Sequence, residues 1–272
     1  MTAAEQIARF SEYSQIFRSF ESSSQPARVK LFLQRLSILD VSTVYPLLLE
    51  LFHRHRYTNA DLETILTDLE SYLVRRLLVG LTSKNYNRLF FELLQDLEGK
   101  QDFSPASVHS SLAAFMGDTR AWPRDAQVEQ ALKHRSLYGT IKAERLTMIL
   151  QALDQQMHTA KSEHYSIGSK QTIEHLMPRS WATHWPLPAG SSVEDATQKR
   201  ESLLHTLGNL TLVSGELNSS LSNSAWTNKL PEIPKYSTIH LNRNLPALWG
   251  EDEILKRSGQ LAQLALQVWP SP

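Results

Sequence analysis

The stretch Leu207-Gly208-Asn209-Leu210-Thr211-Leu212-Val213-Ser214 decides how the last third of this chain is read. Gly208-Asn209 is turn chemistry, and Leu210 to Ser214 is a short run holding the β-formers Thr and Val, which predicts a strand leaving the turn. Upstream, Tyr165 to Pro178 alternates short apolar and polar residues around Gly168, as a second strand would, and Pro178 supports an ending there. Ser180 to Ser192 is rich in Trp, Pro and Ser, as a loop would be, and a short helix over about Val193 to Leu207 leads back to the turn. Downstream, Asn218 to Leu230 reads as a polar-faced helix stopped by Pro231. The order is strand, insertion, strand, helix. The tail from Glu251 to Trp269 carries Ile254, Leu255, Leu261, Leu264 and Val268, which predicts one last packed helix.

Working outward, the texture before about residue 160 is helical. Ile7, Phe10, Tyr13, Ile16, Phe17 and Phe20 recur at three and four positions, a spacing that stacks them on one helical face. Val29 to Leu39 continues the pattern, and Tyr45 to Phe52 reads as a buried helix with Pro46 in its first turn. Thr58 with Asp61 predicts an N-cap for a helix from Leu62 to Val79 that Gly80 stops, and Ser83 a cap for the next, which Gly99 ends. Ser104-Pro105 opens another helix, and Gly139 divides two more, Asp125 to Tyr138 and Ile141 to His158. The expected architecture is mainly α: a helical domain over 1–160, then an α+β unit and a C-terminal helix over 161–272.

Composition narrows the chemistry. The chain has 272 residues and is 41% hydrophobic, enough to bury a core. It has no cysteine, which removes disulfides, thiol nucleophiles and thiolate zinc sites, so any metal must be held by His, Asp, Glu, Asn or backbone oxygen. Oxygen and imidazole ligands favour a hard ion such as Mg²⁺ or Mn²⁺. Lys plus Arg, 28, balances Asp plus Glu, 28, so any surface for a polyanion must be local. No run approaches the roughly 18 apolar residues of a membrane span, and the expected location is cytoplasmic.

Three stretches concentrate unusual polar residues: Ile173-Glu174-His175-Leu176-Met177-Pro178, then Leu207 to Leu212, then Leu217-Asn218-Ser219-Ser220-Leu221-Ser222-Asn223. Hydrolysing a phosphodiester needs a base for water, a cation to neutralise phosphate oxygens, and groups that align both. Neighbouring Glu174 and His175 point to opposite sides of a strand, so they can share a site only where the strand ends. A neutral imidazole can take a proton from water near neutral pH while a carboxylate suits a hard cation, which makes His175 the candidate base and Glu174 the candidate ligand.

This arrangement resembles the HNH (ββα-metal) nuclease motif, in which an acidic residue and a histidine end the first strand, an asparagine sits at the turn into the second, and a further ligand lies on the following helix. Glu174-His175 matches the first element and Asn209 the second. For the third, the family spacing selects Asn218, with Asn223 as competitor. The closer resemblance is to the C-terminal nuclease domain of GmrSD-like type IV restriction enzymes, carried by Ile173-Glu174-His175 to Pro178, Leu207 to Leu212, Leu221-Ser222-Asn223 and Lys229, and upstream by Leu69 to Arg76 and Lys84-Asn85-Tyr86-Asn87.

The resemblance implies a divalent-metal-dependent HNH endonuclease acting on double-stranded DNA in defence against phage or modified DNA, with one HNH centre making one cut, as a nickase does. It also implies an N-terminal ParB-like nucleotide-hydrolysing domain or subunit. Nothing like that domain occurs in this sequence, so the chain is expected to be the C-terminal effector part of a longer protein or a split subunit. Asn209 could brace the loop and orient His175 or serve only as a turn residue, and Asn218 could ligate metal or cap a helix. Arg179, His205 and Lys229 are candidate DNA contacts, and the run His53-Arg54-His55-Arg56 a weaker one. Trp181, Trp185 and Trp226 read as packing residues. The alternative function is a catalytically silent DNA-binding or partner-docking module.

Overall fold

The computed structural model describes residues 2–54, 57–158, 171–190, 192–236 and 239–272. The expected start of the first strand, 165–170, and His55-Arg56 lie outside the described residues. The chain divides into two compact units, Met1–Arg124 with Trp269–Pro272, and Asp125–Val268. The division thus falls at residue 124 rather than near 160. The reason is physical: a two-stranded sheet cannot bury a face unaided, and the helix over Ala143–Gln156 packs on both strands.

The first unit holds α1 (Ala3–Ser19), α2 (Ala27–Leu39), α3 (Tyr45–His53), α4 (Asn59–Val79), α5 (Tyr86–Lys100) and α6 (Pro105–Ala113). The central helix is α4. Thr58 and Asp61 form a capping box at its start, and Gly80, at φ 87°, ends it in the left-handed region that a glycine enters without strain. Buried Arg75 donates to the carbonyls of Trp269 and Pro123, and buried Arg76 to those of Ala121 and Thr82, so both guanidiniums cap main chain. Buried Glu70 is held by Arg28 at 2.9 Å, Arg35 at 2.5 Å and the indole N–H of Trp269 at 2.9 Å. α1 departs from the sequence expectation, because the helix forms but buries no residue, leaving Ile7 70% and Phe10 76% exposed. Its contacts to α3 are made by Arg9, which pairs with Glu50, by Tyr13 against Glu50 and His53, by Phe17 against Tyr45, and just past its end by Phe20 against Phe52.

The second unit runs α7 (Asp125–His134), α8 (Ala143–Gln156), β1 (Gln171–His175), α9 (Val193–Leu203), β2 (Leu210–Ser214), α10 (Gly215–Leu221), α11 (Trp226–Tyr236) and α12 (Glu251–Val268). β1 and β2 pair antiparallel, Glu174 opposite Thr211 and His175 opposite Leu210. Ser192 caps α9 and Ser214 caps α10, each accepting an orphan amide of the first turn. Leu176, Met177, Val213, Leu217, Trp226, Trp249 and Ile254 form a core beneath the sheet, with Trp185 packed in and Trp181 at its edge.

Two features of this unit differ from the sequence pattern. The expected helix over Asn218–Leu230 is two helices, broken at Ser222, whose backbone sits at φ 37°, ψ −128°. Pro231 does not stop α11 but lies inside it, as does Pro234. Both prolines are exposed, so water can serve the carbonyls that lose their helical partners. Gly208 has a strict steric role. A Cβ there would collide with the Ile254 carbonyl and with Ser258 of α12, while its N–H donates to Ser258 Oγ at 2.9 Å. Arg257 of α12 completes the seam by donating to the carbonyls of Gly208 and Leu210.

Candidate active site

β1 ends at His175 because the chain beyond it is taken over by Asn209. The Leu176 N–H donates to the Asn209 carbonyl at 2.9 Å. The Asn209 side chain, wholly buried, accepts from the Met177 N–H at 2.8 Å and the Trp249 indole at 3.2 Å, and donates to the carbonyls of Met177 and Leu204 at 2.8 and 2.9 Å. All the bonding capacity of the carboxamide is therefore spent on main chain and one indole. Asn209 has no exposure and does not line the cleft; its bonds hold the main chain at the end of the strand.

That ending lets Glu174 and His175 open onto the same cleft, about 590 Å³, lined also by Tyr138, Ile173, Pro178, Arg179, Ser180, Asn218, Ser219, Ser222 and Asn223. The His175 ring meets Tyr138 edge-on at 4.6 Å, and its Nε2 lies 3.0 Å from His205 Nδ1. His205 stacks on Tyr138 at 5.6 Å, its carbonyl taking the N–H groups of Leu137 and Tyr138. The Arg179 guanidinium lies 5.8 Å from the Tyr138 centroid on the exposed side. Tyr138 thus organises both imidazoles and the guanidinium. Its place in the sequence, before Gly139 and far from β1, offers no local signal for that role.

Electrostatics divide the two neighbours. Burial pushes the His175 imidazole down to about 3, helped by His205, Arg179 and Lys229, so the ring is neutral at physiological pH. Burial also lowers His205. Glu174 meets Lys229, whose Nζ donates to Glu174 Oε1 at 2.5 Å and to the His175 carbonyl at 2.8 Å. Burial raises the carboxyl and lowers the ammonium, and each partner's charge opposes the other's shift. Lys229 has no exposure, so it neutralises Glu174 from beneath the cleft and is not placed to grip a phosphate as an exposed lysine would. Removing one member of such a pair costs about 3–5 kcal/mol by leaving a buried charge alone.

The expected residues therefore fall into two sets. Glu174, His175, Arg179, Asn218 and Asn223 line one cleft, and His205 touches it through His175. Asn209 and Lys229 lie behind it. Asn218 of α10 donates its amide to Thr172 Oγ1 at 2.9 Å and to the Ile173 carbonyl at 3.2 Å, which leaves its carbonyl oxygen as the atom to hold a cation, and exposed Asn223 follows the strained Ser222. A carboxylate and carboxamide oxygens around one open cleft fit a hard divalent ion. Among the described residues, the grouping of three His, Asp or Glu side chains close enough to share an ion is a different one, Asp154, His158 and His240.

A neutral imidazole, a carboxylate, carboxamides and an exposed guanidinium around an open cleft are the equipment of a nuclease. The family model of GmrSD restriction endonucleases, C-terminal domain, matches residues 122–264, more than half of the chain and nearly the whole second unit, and the chain belongs to that family. It is therefore a nuclease of the restriction-endonuclease type, with DNA as the implied substrate. No curated protein matches it in sequence. No helix among the described residues is long and apolar enough to cross a membrane.

Proposed function

We propose that the chain is an HNH endonuclease that cuts one strand of double-stranded DNA per active site in defence against phage or modified DNA, using Mg²⁺ or Mn²⁺. The observation that carries this reading is the convergence of neutral His175, Glu174 and Asn218 on one open cleft at the end of β1. Glu174 and the carbonyl oxygen of Asn218 would hold the ion, with Asn223 at the rim. Once bound, the ion supplies positive charge for the scissile phosphate and the leaving oxygen.

The chain's own residues do the rest. In the tautomer in which the His175 Nε2–H hydrogen-bonds to His205 Nδ1, His175 Nδ1 is bare, and that atom takes the proton from the attacking water. A base held near 3 is too weak in the free protein. A phosphate held by Arg179 offsets that guanidinium's share of the depression. Arg179 meets the phosphodiester backbone, Tyr138 keeps the His175 ring from turning, and Asn209 holds the main chain from which His175 projects. Lys229 holds the Glu174 side chain in place. An N-terminal ParB-like nucleotide-hydrolysing domain or subunit is the regulatory partner this reading calls for.

The test is nicking of supercoiled plasmid in Mg²⁺ or Mn²⁺ against an EDTA control. His175→Asn should lower the rate about 10²–10⁴-fold, the usual worth of a general base, with unchanged circular dichroism. Undiminished cleavage by His175→Asn, or cleavage that persists in EDTA, refutes the assignment.

A further inference from the structure

We propose that Asp154, His158 and His240 form a second metal site, separate from the cleft and suited to a transition ion of the zinc class, that fastens the 240–242 turn to the end of α8. The ligand atoms of the three side chains all lie within 4.8 Å of one another. A four-coordinate zinc with bonds of about 2.0–2.1 Å places neighbouring ligands about 3.4 Å apart. The Asp154 Oδ2 to His158 Nε2 separation is 3.4 Å, and the rings of His158 and His240 lie 3.9 Å apart at their centroids. Small side-chain rotations bring the widest pair to the required span.

Two further observations favour an ion at this place. Asp154 Oδ1 accepts from the Leu241 N–H at 2.9 Å, so the carboxylate is oriented by the residue next to the third ligand, as outer-shell bonds orient metal ligands. The His240 ring lies against His158, so two imidazoles and a carboxylate converge on one place. Two imidazoles and one carboxylate select Zn²⁺, Co²⁺ or Ni²⁺ rather than Mg²⁺.

The site would also reach the sheet. In the same turn, buried Asn242 accepts from Thr211 Oγ1 and donates to the Leu212 carbonyl at 2.8 Å, so an ion that fixes His240 fixes the partner of β2. Its role is to brace the catalytic strands from behind, with a water completing the coordination on the half-buried His158 side.

The chelator-stripped full chain is titrated with Zn²⁺ by calorimetry, and thermal unfolding is followed with and without the ion. The wild type should take up one Zn²⁺ at this site and unfold at a higher temperature. His240→Asn and Asp154→Asn should each weaken that binding at least about tenfold and abolish the thermal shift. The cleft variant His175→Asn should keep both. Asp154→Asn retains an oxygen for Leu241, so it reports even if His240→Asn is poorly folded. A wild type that binds no Zn²⁺, binding undiminished by the two site variants, or binding lost in His175→Asn overturns the proposal.

Discussion

Asn209 offers the sharpest test of how the cleft is held. Asn209→Ala leaves the Met177 N–H and the Trp249 indole N–H without their acceptor and the carbonyls of Met177 and Leu204 without their donor, at a position with no exposure. Two orphaned donors at about 1–3 kcal/mol each give a loss of about 4 kcal/mol. Asn209→Asp is the more telling change because it is isosteric. It keeps both accepted bonds but sets a second oxygen against two carbonyls that now receive nothing. A carboxyl in that setting has its pKa raised above the unfolded value of about 3.9, so its favourable contribution exists at low pH, while it is protonated and can donate. That contribution is lost as pH rises through the raised value, at about 1.4 kcal/mol per pH unit. Urea unfolding of wild type and Asn209→Asp at pH 5 and pH 8 should show the deficit widening by about 2 kcal/mol or more at the higher pH, with nicking falling in parallel. A variant within about 1 kcal/mol of wild type at pH 8 would show that these bonds do not hold the end of β1.

Gly208→Ala drives a methyl into the main chain of α12 at Ile254 and Ser258, where no flexible side chain can yield, and should cost about 3 kcal/mol in chemical denaturation. A cost below about 1 kcal/mol contradicts the close approach. The folded-state depression of His175, from 6.5 to about 3, means that its contribution to stability is whole above the unfolded value and drains away as the solution is acidified toward the folded one. In EDTA, the wild type should lose about 2 kcal/mol more than His175→Asn between pH 7 and pH 5, and equal losses would mean that the ring titrates as if exposed.

Much of the second unit was legible because its signals are local. Leu210–Ser214 is a strand for the β-forming reasons apparent in its composition, and Glu174-His175 marks the strand end. The helix pattern of the first unit was equally plain at Thr58, Gly80 and Ser104. What periodicity does not encode is what each face meets. The apolar stripe of α1 predicts burial that its first turns do not obtain, and Lys229 looks like a surface cation until Glu174 is found beside it. Pro231 breaks most helices, yet here it faces water, and exposure is not written in the residue type. Tyr138, Asn242 and Trp249 act through partners distant along the chain, which no window of sequence brings together.

The carboxamide at 209 also fixes the two ends of the segment between Met177 and Leu204. Its exposed stretch Pro188 to Gly190 can therefore be lengthened or exchanged at small entropic cost, about 0.6 kcal/mol for a doubling of loop length. A reporter peptide spliced at Gly190 is a practical way to exploit that tolerance.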